Sequence, residues 1–277
     1  MHTPDGFITS WICILMLLVS AIAILFSIKN IKFNKNKLIR MALLGAIIFA
    51  AQMLNFPIAE GTSGHLIGAA LVAILLGPYE AILIISSVLF LQGIVFGDGG
   101  MFSIGVNILN MAIVASFSAH YLYKKFNSVL LSSWASVFLA SFSAASLLFL
   151  SGISFVVFPA MLFTHSIIGI GEALITLALF YYFTKAKNIL PITNIAVYST
   201  AFACLLLALV LPFVSESPDG LESVAINLGF YSNAIELYSA PIPDYLFMGS
   251  VLFAGIIGTL LTFVFIYSIG SIKPVSN

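Results

Sequence analysis

The sequence predicts an all-α polytopic membrane protein: about nine transmembrane helices in one bundle, N-terminus outside and C-terminus cytoplasmic. Composition, the length of the apolar runs and the placement of the basic residues lead there. Of 277 residues, 61% are hydrophobic and 7% charged, with a mean hydropathy of +1.17, against roughly 25% charged in soluble domains. That balance excludes a water-soluble fold. The net charge of zero gives no argument for nucleic acid or for a polybasic grip on lipid headgroups.

A helix needs about 20 apolar residues to cross a bilayer, and apolar runs fall near 7–28, 38–56, 65–79, 80–96, 102–123, 128–157, 160–184, 189–213 and 246–269. The first has no basic residues before it and is long enough to span, so it is expected to stay attached rather than be cleaved as a signal peptide. Thr3 suits its cap, Pro4 its first position and Asp5 its first turn, where a carboxylate complements the helix dipole. The second follows a cluster of Lys29, Lys32, Lys35, Lys37 and Arg40. The third is short and is entered through residues 57–64, which predicts irregular backbone dipping below the surface, tolerated only around protein or a wet cavity. An outward pocket with His65 at its floor follows. On this segment His65, Ala69 and Ala73 are expected on one helix face and Gly64 and Gly68 as a small-residue pair for close packing.

The fourth run ends in Phe96-Gly-Asp-Gly-Gly100, a turn rich in residues that tolerate positive φ. The fifth precedes Lys124 and Lys125, the seventh Lys185 and Lys187, and the ninth Lys273. With nine crossings every basic residue lies on one side, which the positive-inside bias makes cytoplasmic. Most acidic residues fall on the other face, which should attract cations. Glu80 is expected inside and Glu172 within a span. Cys13 and Cys204 lie in apolar runs and read as packing residues. The stretch 214–245 is polar and acidic; its Asp219-Gly-Leu-Glu222 has capping-box spacing, with Pro218 before it and Gly229 as a stop, which predicts a helix of about two turns.

Position two carries the most chemistry. A histidine there gives the Met1 amine, the His2 amide and the His2 imidazole Nδ1 in one covalent unit, able to close a five- and a six-membered ring on a metal. A fourth nitrogen completes a square plane, the geometry of Ni(II) and Cu(II) with nitrogen donors. A bulky second residue such as histidine blocks removal of the methionine, so the sequence permits Met1 to be retained, and the chelate requires its amine to be free. His65 and His165 also map to outer helix ends, whereas His120 maps to an inner end and reads as an interfacial residue. His65 is read as the further donor; alone, it would be a packed histidine. His165 and Glu172 share a helix face, with Asn107 and Asn110 as plausible partners for the carboxylate, whose role is a hydrogen-bond network or metal passage. Asp98 is read as a turn former or as a neighbour of the metal.

Met1-His-Thr-Pro-Asp-Gly6, residues 61–68 (Gly-Thr-Ser-Gly-His-Leu-Ile-Gly), Phe96–Gly100, Asn107-Ile-Leu-Asn110 and residues 165–173 (His-Ser-Ile-Ile-Gly-Ile-Gly-Glu-Ala) together resemble the CbiM/NikM family, the substrate-binding membrane subunits of energy-coupling-factor (ECF) transporters for cobalt or nickel. The resemblance implies a metal site of the Met1 amine, the His2 amide and imidazole and His65; Asp5, Asp98, Asn107, Asn110, His165 and Glu172 are, from their own placement, candidates for residues behind the ligands or along a path. Thr3 departs from the isoleucine expected after the histidine. The resemblance also implies a metal-binding domain over 1–213 and, over 214–277, a fused smaller subunit, a PDGLE-type loop plus a final helix. It further implies import of Ni2+ or Co2+, the latter tied to cobalamin biosynthesis, across the cytoplasmic (inner) membrane of a prokaryote. No prosthetic group and no enzymatic activity are expected. No G-x-x-x-x-G-K-[ST] loop is present, so the implied partners are a membrane coupling (T) protein and cytoplasmic ATPase (A) subunits. An ATP-independent secondary transporter or channel, with His165 and Glu172 as relay, is the alternative.

Overall fold

The computed structural model describes residues 1–58, 61–186, 194, 198–199, 210, 214–215 and 217–271. Ten α-helices in chain order account for most of it: α1 Ser10–Asn30, α2 Lys35–Gln52, α3 Ala69–Leu75, α4 Pro78–Leu91, α5 Ile104–Asn107, α6 Ala115–Phe126, α7 Val129–Leu150, α8 Val157–Ala186, α9 Gly220–Asn227 and α10 Val251–Ser271. A wider π-type turn, Gln92–Phe96, extends α4, and another, Ile108–Val114, joins α5 to α6 in one rod. Among the described residues six helical segments are long and apolar enough to cross a membrane: Ser10–Asn30, Pro78–Phe96, Ile104–Phe126, Val129–Leu150, Val157–Lys185 and Val251–Ser271. The protein is a multi-pass membrane protein. The expected eighth span, 189–213, and Cys204 within it lie almost wholly outside the described residues.

Burial separates the rods by their surroundings. On α1 the side chains of Trp11, Ile14, Leu18, Ile22 and Leu25 are exposed and apolar, the face a lipid chain would cover. By contrast α2, α3 and α4 are buried along most of their length and form the centre of the bundle. Close approach there depends on missing side chains: a Cβ on Gly258 would meet the Phe49 ring, and one on Gly105 the backbone of α1 at Leu17. Without a hydrophobic drive between rods in lipid, such contacts are what association rests on.

The expected third span takes a different form. Only Ala69–Leu75 is helical, a length of about 10 Å at 1.5 Å per residue. His65 precedes the helix, and Gly68 is left-handed at φ 79°, where a side chain would be strained and would strike Ile48. Thus His65, Ala69 and Ala73 do not share a helix face. Gly64 and Gly68 are no helical pair either, since Gly64 lies in a two-residue strand, Ser63–Gly64, paired antiparallel with Phe56–Pro57. The segment still joins the two ends of the bundle. Glu80 at the start of α4 pairs with Lys37 in the first turn of α2 at 2.7 Å, and His120 Nδ1 near the end of α6 lies 3.1 Å from Ala73 O, while His65 lies at the opposite end beside Met1.

The polypeptide start also departs from expectation. Helix α1 begins at Ser10, after Thr9, so Thr3, Pro4 and Asp5 neither cap it nor enter its first turn. Residues 1–8 instead form an arm folded onto the bundle's end, with Met1, His2, Thr3 and Asp5 all buried.

Candidate metal centre

Three separate pieces of chain build the site, each held by backbone bonds. The N-terminal arm is gripped by the start of α5 and the loop before it. Asn107 Oδ1 accepts from Thr3 N at 2.8 Å and Asn107 Nδ2 donates to Thr3 O at 3.2 Å, an oxygen that also takes Gly100 N at 2.9 Å. Asp5 turns its carboxylate to Ser103 N (2.8 Å) and Phe102 N (3.2 Å), the amides just ahead of α5, whose N-cap residue Ser103 makes no side-chain cap bond. A Cβ at Gly100 would overlap the Asp5 carboxylate, so the run Phe96–Gly100 is small because the arm lies on it; Gly97 and Gly99 have the positive φ expected of the turn.

The second piece is the hairpin leading to His65. Beyond it, Ile67 N and Gly68 N donate to the two oxygens of Glu172, at 2.7 and 3.0 Å. Glu172, fully buried in α8, therefore satisfies free amides ahead of α3. The expected partners are elsewhere: Asn107 holds the arm, and Asn110 Oδ1 accepts from Ser143 Oγ at 2.7 Å.

The third piece is the polar tail. Asp219 caps α9 as expected: its Oδ1 accepts from Leu221 N and Glu222 N, and Glu222 Oε2 accepts from Asp219 N. Its other oxygen reaches the Met1 amine at 2.5 Å. That second role was not foreseen, because capping accounts for only one of the two oxygens.

At the junction the Met1 nitrogen lies 3.2 Å from His65 Nε2, and the His2 and His65 rings stack with centroids 5.1 Å apart. One donor atom each from His2, His65 and Asp219 fall within 4.8 Å of one another. The tautomer of His65 follows from its partner. His65 Nδ1 is 3.1 Å from Leu66 O, which can only accept, so Nδ1 carries the proton and Nε2 presents its lone pair to the junction. His2 Nε2 lies 3.2 Å from Gln92 Oε1, and its Nδ1 is the atom an N-terminal chelate uses. Asp98 Oδ1 is 3.4 Å from that Nδ1, and Asp98 Oδ2 accepts from the Tyr245 hydroxyl at 2.6 Å. Tyr245 stacks on Phe96 and holds φ at 55°, a strained value for a bulky residue at the site's rim. Gln92, Asp219 and Tyr245 are site residues that sequence spacing did not reveal.

Electrostatics favour a cation. Burial, then the Met1 ammonium and His2, push His65, which lies outside the six spans, down to about 3, so its imidazole is neutral at neutral pH. Burial works against the charge of Asp219, but the Met1 ammonium and His65 outweigh it and hold the carboxyl well below its ordinary range. A cavity of about 880 Å³, lined by His2, His65, Asp98, Asp219 and Tyr245 among others, leads to the junction. His165 lies beside it but outside the donor cluster: its Nδ1 is 2.9 Å from Met161 O, and its ring contacts Gly220.

The arm, the hairpin and residues 96–110 all fall within the stretch that matches a known family. Residues 2–190 match the family model described as CbiM, cobalt uptake substrate-specific transmembrane region. This chain belongs to the CbiM family. The fused nickel transport protein NikMN of Archaeoglobus fulgidus is 34% identical over 94% of this chain and 95% of its own length. The cobalt transport protein CbiM of Thermosediminibacter oceani is 36% identical over 52% of this chain and 60% of its own length. A crystal structure of a transition metal transporter superposes with a TM-score of 0.62 at 32% identity, covering 68% of this chain and 94% of that one. The CbiM match includes the arm from His2 onward, the His65 hairpin and Glu172; Asp219 lies beyond it.

Proposed function

We propose that this CbiM-family chain is the metal-binding membrane subunit of an ECF-type ABC importer that takes up Ni2+ or Co2+ across the cytoplasmic membrane of a prokaryote. One observation carries the reading: the Met1 amine, His2 and His65 meet at one end of the bundle, with His65 Nε2 3.2 Å from the amine and the two imidazole rings stacked. The Met1 amine, His2 amide, His2 Nδ1 and His65 Nε2 then form four nitrogen donors in a plane, an arrangement that suits Ni2+ among the cargo metals of the named relatives. Capture proceeds from the outer side. The acidic cavity concentrates dications, the amine and amide give up protons to the medium as the metal binds, and the buried rings exclude competing water.

Release inward needs work that this sequence has no phosphate-binding loop to supply, so a membrane coupling protein and cytoplasmic ATPase subunits are the partners. The alignment with a fused NikMN along nearly the whole chain supports reading 1–213 as the metal-binding part and 214–277 as a fused second component.

Two leucines inserted between Met1 and His2 keep the methionine, because the second residue stays bulky, move the imidazole out of chelating reach of the amine and leave the helices untouched. Purified with a C-terminal tag, the wild type is expected to carry about one nickel or cobalt per chain by elemental analysis, and the insertion variant none at equal membrane yield. Metal content unchanged by the insertion would overturn the chelate. Uptake that persists in cells lacking every ECF ATPase subunit would overturn the energy coupling.

A further inference from the structure

The tail touches both other pieces of the metal junction at once. It grips the hairpin through Ser63 N to Pro218 O at 2.9 Å, Ser63 Oγ to Ser217 O at 2.7 Å and the Thr62–Ser223 hydroxyl pair at 2.7 Å. It grips the arm through Ile235 N to Asp5 O at 2.9 Å, and a Cβ at Gly6 would strike Asn233 O. Between these grips Asp219 Oδ2 lies 2.5 Å from the Met1 nitrogen and 4.0 Å from His65 Nε2.

We infer that Asp219, from the tail, is a positioning residue of the metal site: its Oδ2 accepts from the Met1 amine and holds that nitrogen against His65 Nε2, so that the site is complete only when the tail is docked. This rests on the capture function proposed above. A primary amine on the end of a chain is free to rotate, and nothing in the N-terminal chelate itself fixes it against a histidine supplied by another segment. Asp219 does, and its other oxygen is tied to the first turn of α9, so the carboxylate cannot follow the amine outward. An amine bound to a metal still carries hydrogens, so the same bond survives loading. The carboxylate also places one negative charge beside the dication in a buried setting, where an uncompensated charge is costly.

Capping and positioning can be separated, because Asn and Ser cap a helix as well as Asp does. Asp219→Asn keeps an oxygen for α9 but turns an NH2 toward the Met1 amine; Asp219→Ser keeps the cap and removes the second acceptor. The full-length chain with a C-terminal tag is titrated with Ni2+ by calorimetry, and docking of the tail is followed by protease protection of residues 214–245 without metal. The expected result is normal protection in both variants with Ni2+ affinity lowered about tenfold or more, the size of one lost charge-assisted hydrogen bond, and partial recovery in Asp219→Glu. The inference is overturned if a variant with a protected tail binds Ni2+ as the wild type does, or if affinity falls only in step with lost protection. A wild-type chain that binds no Ni2+ and no Co2+ marks a different failure, that of the capture function itself, and removes the inference with it.

Discussion

Asn107 shows how a residue that touches no donor atom can decide whether the donors meet. It pairs with both backbone groups of Thr3, the residue following His2, and is itself buried. Replacing it with alanine leaves Thr3 N–H buried without a partner, a cost of about 1–3 kcal/mol. The arm is then expected to lift, lowering Ni2+ affinity about tenfold in a calorimetric titration while membrane yield stays normal; Asn107→Asp, which keeps the acceptor for Thr3 N, falls between the two. His2 stood out in the sequence because its chemistry is local, a histidine in second position being able to chelate with its own covalent neighbours, whereas His65 was joined to it through the mapping of helix ends, and the structure stacks the two rings at 5.1 Å. Asn107 was read instead as a partner of Glu172. Spacing along a helix says which residues share its faces, but not which chain lies across from them. Asp219 was half-legible, since the capping box explains one carboxylate oxygen and says nothing of the other.

Among elements, α3 is the one whose form decides the site. An apolar run from His65 to Tyr79 reads as a short continuous helix, yet Gly68 in the left-handed region breaks it and leaves His65 on extended backbone facing Met1. That break frees amides within the bundle, and Glu172 from α8 takes two of them, Ile67 N and Gly68 N. A carboxylate inside a span is expensive without such partners, and here the backbone of a broken helix supplies them. Glu172→Gln retains one acceptor oxygen and sets an NH2 against the remaining amide. A loss of about 1–3 kcal/mol in stability follows, read as a lower unfolding temperature in detergent, together with weakened Ni2+ binding because the His65 segment is no longer fixed. Unchanged unfolding and binding in this variant would mean that the two amides find other partners. Apolar runs located the described long rods, although the run 128–157 extends well past the end of α7 at Leu150, but they could not locate this break, because in lipid a glycine inside an apolar run is as compatible with close helix packing as with a turn.

Across the whole molecule, the sorting of charge seen in the sequence becomes an arrangement of ends. Lys29, Lys37, Lys124, Lys125 and Lys185 sit where α1, α6 and α8 finish and α2 begins, while Asp5, Asp98, Asp219 and Glu222 gather around the arm at the other end. This polarity determines how the site responds to acid. His65 is held down to about 3 by burial, the Met1 ammonium and His2, a depressed value; its neutral form, and the stability that form contributes, are complete above the ordinary 6.5 and are lost only as pH falls toward 3. Asp219, held well below its ordinary 3.8, likewise keeps its charge through mild acid. At neither group do protons compete with the metal between about pH 5 and 7. The amine and the His2 amide must each release a proton to bind. Affinity for Ni2+ is therefore expected to fall steeply as the medium is acidified across that interval, with protons released on loading that a weakly buffered titration detects directly. His65→Ala lowers affinity at every pH but leaves the steepness of that fall unchanged, because the residue brings no proton to the exchange. A wild-type affinity independent of pH would remove the amine and the amide from the coordination, whereas a flatter fall in His65→Ala would show that His65 is protonated before metal arrives.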